Sequence, residues 1–240
     1  MKGIVYFIAT FIVLLSTNGK VLCVSIVELS VPDVIQMNSS DVVLDCDYTI
    51  TEWEQMGLVL KWYVDGVQLV YQWIPPRAPQ SLGILKGRID TSYTAADDPW
   101  NKHRAILIQN PTPELSGRYS CAVSTFEEED TRSADMLIWA PPTKVSLFYW
   151  RPSEHLVNIS CKAFSVAPAP HFRLYTRDLN GTRYEVEIRG SPKYRQGALW
   201  DTMAWGLIVW EDTQPNSEIG CDLTIPGTTH TENRLKVYHP

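Results

Sequence analysis

The feature that most constrains this chain is a set of four residues: Cys46, Trp62 sixteen positions on, and Tyr119 two positions before Cys121. Each lies in a stretch that alternates apolar and polar residues. In Val42-Val43-Leu44-Asp45-Cys46 the alternation puts Val42, Leu44 and Cys46 on one face, and the runs Leu58 to Val64 and Arg118 to Ser124 read the same way. A bridge from Cys46 to Cys121 would tie two facing sheets together, with the Trp62 indole against the sulfurs and Tyr119 fixing the corner before its strand. Trp62 and Tyr119 are therefore core residues by this reading.

That frame predicts an immunoglobulin-type sandwich. The 75 residues between the cysteines leave room for extra strands, which favours the variable type. Further strands are read at Val67 to Trp73, Ala105 to Ile108 and Ala134 to Trp139. A second block repeats the plan more weakly, with Val157-Asn158-Ile159-Ser160-Cys161 and Glu218-Ile219-Gly220-Cys221 as its cysteine strands. Phe172 or Leu174 stands where an indole is expected, and Ile219 takes the tyrosine-corner position. The fold class is thus all-β, two tandem immunoglobulin-like β-sandwiches, a variable-type domain over 24–140 followed by a degenerate constant-type domain over 141–240. Ala140-Pro141-Pro142 joins them, since proline ends a sheet and makes the connection extended and semi-rigid.

Residues 1–23 read as a signal peptide: Lys2, an apolar run from Ile4 to Leu15 too short to span a bilayer, and cleavage after Gly19 or, preferably, Cys23. No later segment reads as a membrane span or an anchor signal, so the mature chain is expected to be secreted and extracellular. Loss of those residues leaves 19 basic residues against 27 acidic, a net charge of −8, the wrong sign for binding nucleic acid. Of the five cysteines, Cys23 leaves with the leader. The remaining four allow three pairings, and the strand pattern selects Cys46–Cys121 and Cys161–Cys221, one in each block. No spacing is CxxC-like, and the five histidines fit no metal or nucleophile motif. An enzyme is not expected, and neither is a cofactor.

Lys61-Trp62-Tyr63, the hairpin on to Tyr71-Gln72-Trp73-Ile74-Pro75-Pro76, and Leu115-Ser116-Gly117-Arg118-Tyr119-Ser120-Cys121 resemble the variable-type domain of the insect beaten-path family. The resemblance covers about the first 120 mature residues. It implies a recognition protein that binds cell-surface immunoglobulin-superfamily receptors, such as sidestep-like ones, in adhesion or axon guidance. A humoral immune factor binding microbial or small-molecule ligands is the alternative. One departure is Glu114, where an Asp commonly pairs with an Arg; Arg88 is the counterpart within its reach.

Three sequons mark candidate glycosylation sites at Asn38, Asn158 and Asn180, while Asn110-Pro111-Thr112 is excluded by its proline. Alternation sends Val157, Ile159 and Cys161 inward, so Asn158 should face solvent. A candidate partner face comes from reading Asp65-Gly66 as a two-residue turn, which sets Trp62 opposite Leu69. Lys61, Tyr63, Gln68, Val70 and Gln72 then point outward, with Val59, beside the small Ser120, Ala122 and Ser124. A slip of one residue would instead expose Tyr71 and Trp73. Phe126 and the acidic Glu127, Glu128, Glu129 and Asp130 lie between the last two strands, as a solvated turn or as an acidic tip that steers a basic partner. Trp200, Trp205 and Trp210 recur every fifth residue, one of them expected in the core and any exposed one at an interface.

Overall fold

A computed structural model describes residues 23–209 and 216–239. Residues 1–22 of the expected signal peptide and Trp210 lie outside the described residues. Ten strands build the first half: β1 (Ser25–Ser30), β2 (Val34–Gln36), β3 (Val42–Thr49), β4 (Val59–Val64), β5 (Gln68–Trp73), β6 (Gln80–Ser81), β7 (Ile89–Asp90), β8 (Ile106–Ile108), β9 (Gly117–Ser124) and β10 (Glu129–Trp139). They form one sheet in the order β1-β3-β8-β7 and a second in the order β2-β10-β9-β4-β5-β6. Their inner faces enclose a single core that includes Leu44, Leu60, Trp62, Tyr119 and Val123.

The bridge Cys46–Cys121 links β3 to β9 across this core, and Trp62 is fully buried beside it, paired in register with Cys121. Its indole nitrogen donates to the Arg104 carbonyl at 3.3 Å. The Tyr119 hydroxyl donates to the Leu115 carbonyl at 2.8 Å, which fixes the corner ahead of β9, and burial pushes that phenol's pKa up. Arg88 does meet Glu114, at 2.9 Å.

The β4–β5 hairpin departs from the two-residue turn. Its loop is Asp65-Gly66-Val67, with Asp65 and Gly66 both at positive φ, and Asp65 Oδ1 accepts from the Arg118 amide at 3.0 Å. Tyr63 therefore pairs with Leu69, but Trp62 pairs with Tyr71 and Leu60 with Trp73, so Val70 is the extra residue of a bulge. Val70 is wholly buried, and Tyr71 and Trp73 are buried with it. The three-residue loop sets Leu69 opposite Tyr63 and turns Val70 inward, and the bulge brings Tyr71 opposite Trp62, so the outward placement of Val70 and the pairing of Trp62 with Leu69 are both corrected. Leu69 itself is only half-buried.

The second half comprises β11 (Lys144–Ser153), β12 (Leu156–Val166), β13 (His171–Arg177), β14 (Arg183–Val186), β15 (Ile188–Gly190), β16 (Lys193–Gln196), β17 (Leu199–Val209), β18 (Glu218–Thr224) and β19 (Thr231–Val237). One sheet runs β11-β12-β17-β15, with β16 also on β17, and the other β14-β13-β18-β19. β14 adds a strand to the three of the constant pattern. The bridge Cys161–Cys221 joins β12 to β18. Leu174, in register with Cys221, stands where the first core has its indole, and Tyr238 is buried in the same core.

The junction is hydrogen-bonded rather than free. Ala140 and Ala167 exchange backbone bonds of 2.8 and 3.1 Å, and Trp139 packs against the second core with its ring 5.0 Å from that of His230.

Candidate functional site

β9 and β10 are joined by the turn Thr125-Phe126-Glu127-Glu128 at one end of the first sandwich. Thr125 organises it: its amide donates to the Glu128 carbonyl at 2.8 Å, and its hydroxyl oxygen accepts from the amides of Glu127 and Glu128. Phe126 is left 82% exposed, yet its ring is not loose. It lies flat enough against Gly57 that a Cβ there would sit 2.6 Å from the ring, and Gly57 has a φ of +115° that disfavours any side chain.

Gly57 ends the segment between β3 and β4, which presents Trp53 and Met56 at 76% and 77% exposure. The segment is anchored from below by Glu54, whose side chain is buried. Its carboxylate accepts from the Thr51 hydroxyl and amide and from the Val24 amide. The Thr51 hydroxyl, then the two amides, hold this carboxyl below its usual pKa of 4.5. A carboxyl with a lowered folded pKa stabilises fully above its unfolded value and loses that contribution as pH falls through the folded one. Glu54→Gln is therefore expected to cost about 1–3 kcal/mol at neutral pH, as two amides lose a charged acceptor. Its melting temperature should also fall less than that of the wild type between about pH 5 and about pH 3. Melting curves across that range check both.

Three large apolar side chains thus stand exposed on two tethered loops, joined where Phe126 covers Gly57. Glu52, Glu127, Glu128 and Glu129 are exposed around them. Asp130 does not share this role, because its carboxylate accepts from the Ile26 amide at 2.7 Å and so ties β1 to β10.

The sheet face below is plainer than the alternation implies. Lys61, Tyr63 and Gln72 are half-buried on it and Gln68 is exposed. Ser120 and Ala122, each 7% exposed, lie between Lys61 and Tyr63 on β4 and Thr131 and Ser133 on β10. With Val70 withdrawn into the core the face loses its apolar centre. The exposed aromatic and methionine side chains of this sandwich, Trp53, Met56 and Phe126, are at the loop end instead.

The glycosylation candidates separate as well. Asn38, at a φ of +63°, and Asn180 are exposed, whereas Asn158 is only 6% exposed. Asn158 lies on the outer face of β12 as alternation requires, but Trp150 and Leu207 flank it in register from the neighbouring strands and cover it.

No family model matches the sequence, and no curated protein does. Among solved structures the fold is similar to that of bovine butyrophilin, with a TM-score of 0.68 over 87% of this chain and 95% of that one, at 14% identity. The chain has the immunoglobulin fold twice over. Such a likeness carries the fold, with its paired sheets and buried bridges, and the surfaces are this chain's own. Among the described residues no helix is long and apolar enough to cross a membrane.

Proposed function

We propose that this protein is a secreted recognition factor that binds a cell-surface immunoglobulin-superfamily receptor through the loop end of its first sandwich. The observation that carries the reading is the exposure of Trp53, Met56 and Phe126 on loops already held in place. Aromatic and methionine side chains are enriched in protein interfaces, and anchors pre-organised before contact lose little freedom on binding. The ring of Glu52, Glu127, Glu128 and Glu129 favours a partner with a basic rim and should make association faster at low salt. Lys61, Tyr63, Gln68 and Gln72 extend the contact onto the sheet. A sidestep-like receptor is the partner class that the beaten-path resemblance implies, and adhesion or axon guidance the process.

A glycan wedge tests the location. Glu127→Asn with Glu129→Thr builds a sequon at the exposed turn. The glycosylated variant is expected to fold and secrete normally but to lose staining of receptor-expressing cells. Undiminished staining by a demonstrably glycosylated variant would remove the loop end from the interface.

A further inference from the structure

The outer face of the β11-β12-β17 sheet is apolar where a solvated sheet would be polar. Read across the strands, Trp150, Asn158 and Leu207 form one row and Phe148, Ser160 and Trp205 the next, all on the side away from the core. Trp150 is 46% exposed and stacks on Phe148 at 5.8 Å between ring centroids. Trp205 is laid across Gly190 of β15, so closely that a Cβ there would meet its indole nitrogen at 2.3 Å. Lys162 brings its ammonium 5.4 Å from the Phe148 ring. An exposed patch of this kind on an extracellular sandwich calls for a cover.

What lies at its centre is a sequon. Asn158 and Ser160 occupy adjacent rows between the two apolar flanks, and the Ser160 hydroxyl donates to Asn158 Oδ1 at 2.8 Å. That bond fixes which end of the amide is turned to the sheet. Asn158 Nδ2 makes no hydrogen bond among the described residues, and Asn158 keeps 6% of its surface exposed. The register sets Asn158 on the outer face between Trp150 and Leu207.

We infer that Asn158 carries an N-linked glycan whose first N-acetylglucosamine lies against Trp150 and its neighbours, covering this face. A bulky sugar on Nδ2 has to leave the fold at that atom, and the strand register places Asn158 on the outer face of β12, where it can do so. In the transfer a bond forms from Nδ2 to the anomeric carbon. The bond from that carbon to the diphosphate of a lipid-linked oligosaccharide donor breaks, the diphosphate leaves with the electron pair, and Nδ2 gives up one proton. On folding, the sugar emerges among aromatic rings whose faces suit the C–H side of a pyranose. This role belongs to the second sandwich and does not depend on the receptor-binding reading.

The test uses the full chain secreted from eukaryotic cells, with Ser40→Ala and Asn180→Gln removing the other two sequons and an endoglycosidase trimming what remains to one N-acetylglucosamine. Peptide mass mapping should find that sugar on Asn158. In proton NMR its N-acetyl methyl signal should lie upfield of the free sugar, shifted by the indole ring current, and move back in Trp150→Ala. An unmodified Asn158, or a methyl signal at the free-sugar position, would overturn the inference. Ser160→Thr, which keeps the sequon, should stay monomeric and bind little hydrophobic dye. Ser160→Ala, which loses it, should bind dye and self-associate; identical behaviour of the two would count equally against the cover.

Discussion

Trp62→Ala is expected to destabilise the first sandwich by about 3–5 kcal/mol, the range for removing a buried indole that leaves a cavity. Trp62 is fully buried, sits in register with Cys121 on one side and Tyr71 on the other, and ties its nitrogen to the Arg104 carbonyl. Its neighbours cannot close the gap. Cys121 is held by the bridge, and the Tyr71 hydroxyl is held by the His103 carbonyl at 2.9 Å. Against a total stability of about 5–15 kcal/mol for a domain, the loss is large enough to cut the yield of folded protein. Thermal melts of the purified protein measure it. A wild-type yield and melting temperature would show that the packing around the bridge does not depend on this indole.

Replacing Cys161 and Cys221 together by Ala is expected to cost about 4 kcal/mol, from the chain entropy of a bridge that spans 60 residues. The second sandwich is less able to bear such a loss than the first. Leu174 stands opposite Cys221 in place of an indole, and two of the aromatic side chains packed against the core, Trp139 and Trp200, are only partly buried. Calorimetry should show the transition of the second sandwich lost or moved below about 37 °C, with that of the first retained at a slightly lower temperature. The small shift arises from Trp139, which lies at the end of β10 and packs on the second core. A single unshifted transition in the double variant would mean that the bridge contributes nothing.

The core of the first sandwich was legible because its markers are sequential: alternation around Cys46 and Cys121 names the inward residues, and Trp62 and Tyr119 fall on them. The β4–β5 face was not. Asp65-Gly66 has the composition of a two-residue turn, and only the pairing of Asp65 with the Arg118 amide, fifty-three residues away, shows that the loop takes in Val67 and sends Val70 inward. Trp53 and Met56 gave no signal, since they lie in a segment without periodicity whose exposure depends on Glu54 holding it from beneath. Asn158 shows the complementary limit. Alternation gave its side of the sheet but not its burial, because Trp150 and Leu207 flank it on adjacent strands, and lateral neighbours leave no trace in the strand's own sequence.

The measurement that bears most directly on the recognition reading is binding of the purified protein to a panel of immunoglobulin-superfamily ectodomains displayed on cells, run beside Trp53→Ala and Phe126→Ala. Both side chains are more than three-quarters exposed, so the variants should keep the wild-type melting temperature. At least one specific receptor is expected, with affinity reduced about thirty-fold or more by either change, the effect of losing an interface hot spot of about 2 kcal/mol. Binding to no ectodomain of the panel would contradict the recognition reading, and a receptor bound equally well by wild type and both folded variants would contradict its placement at the loop end.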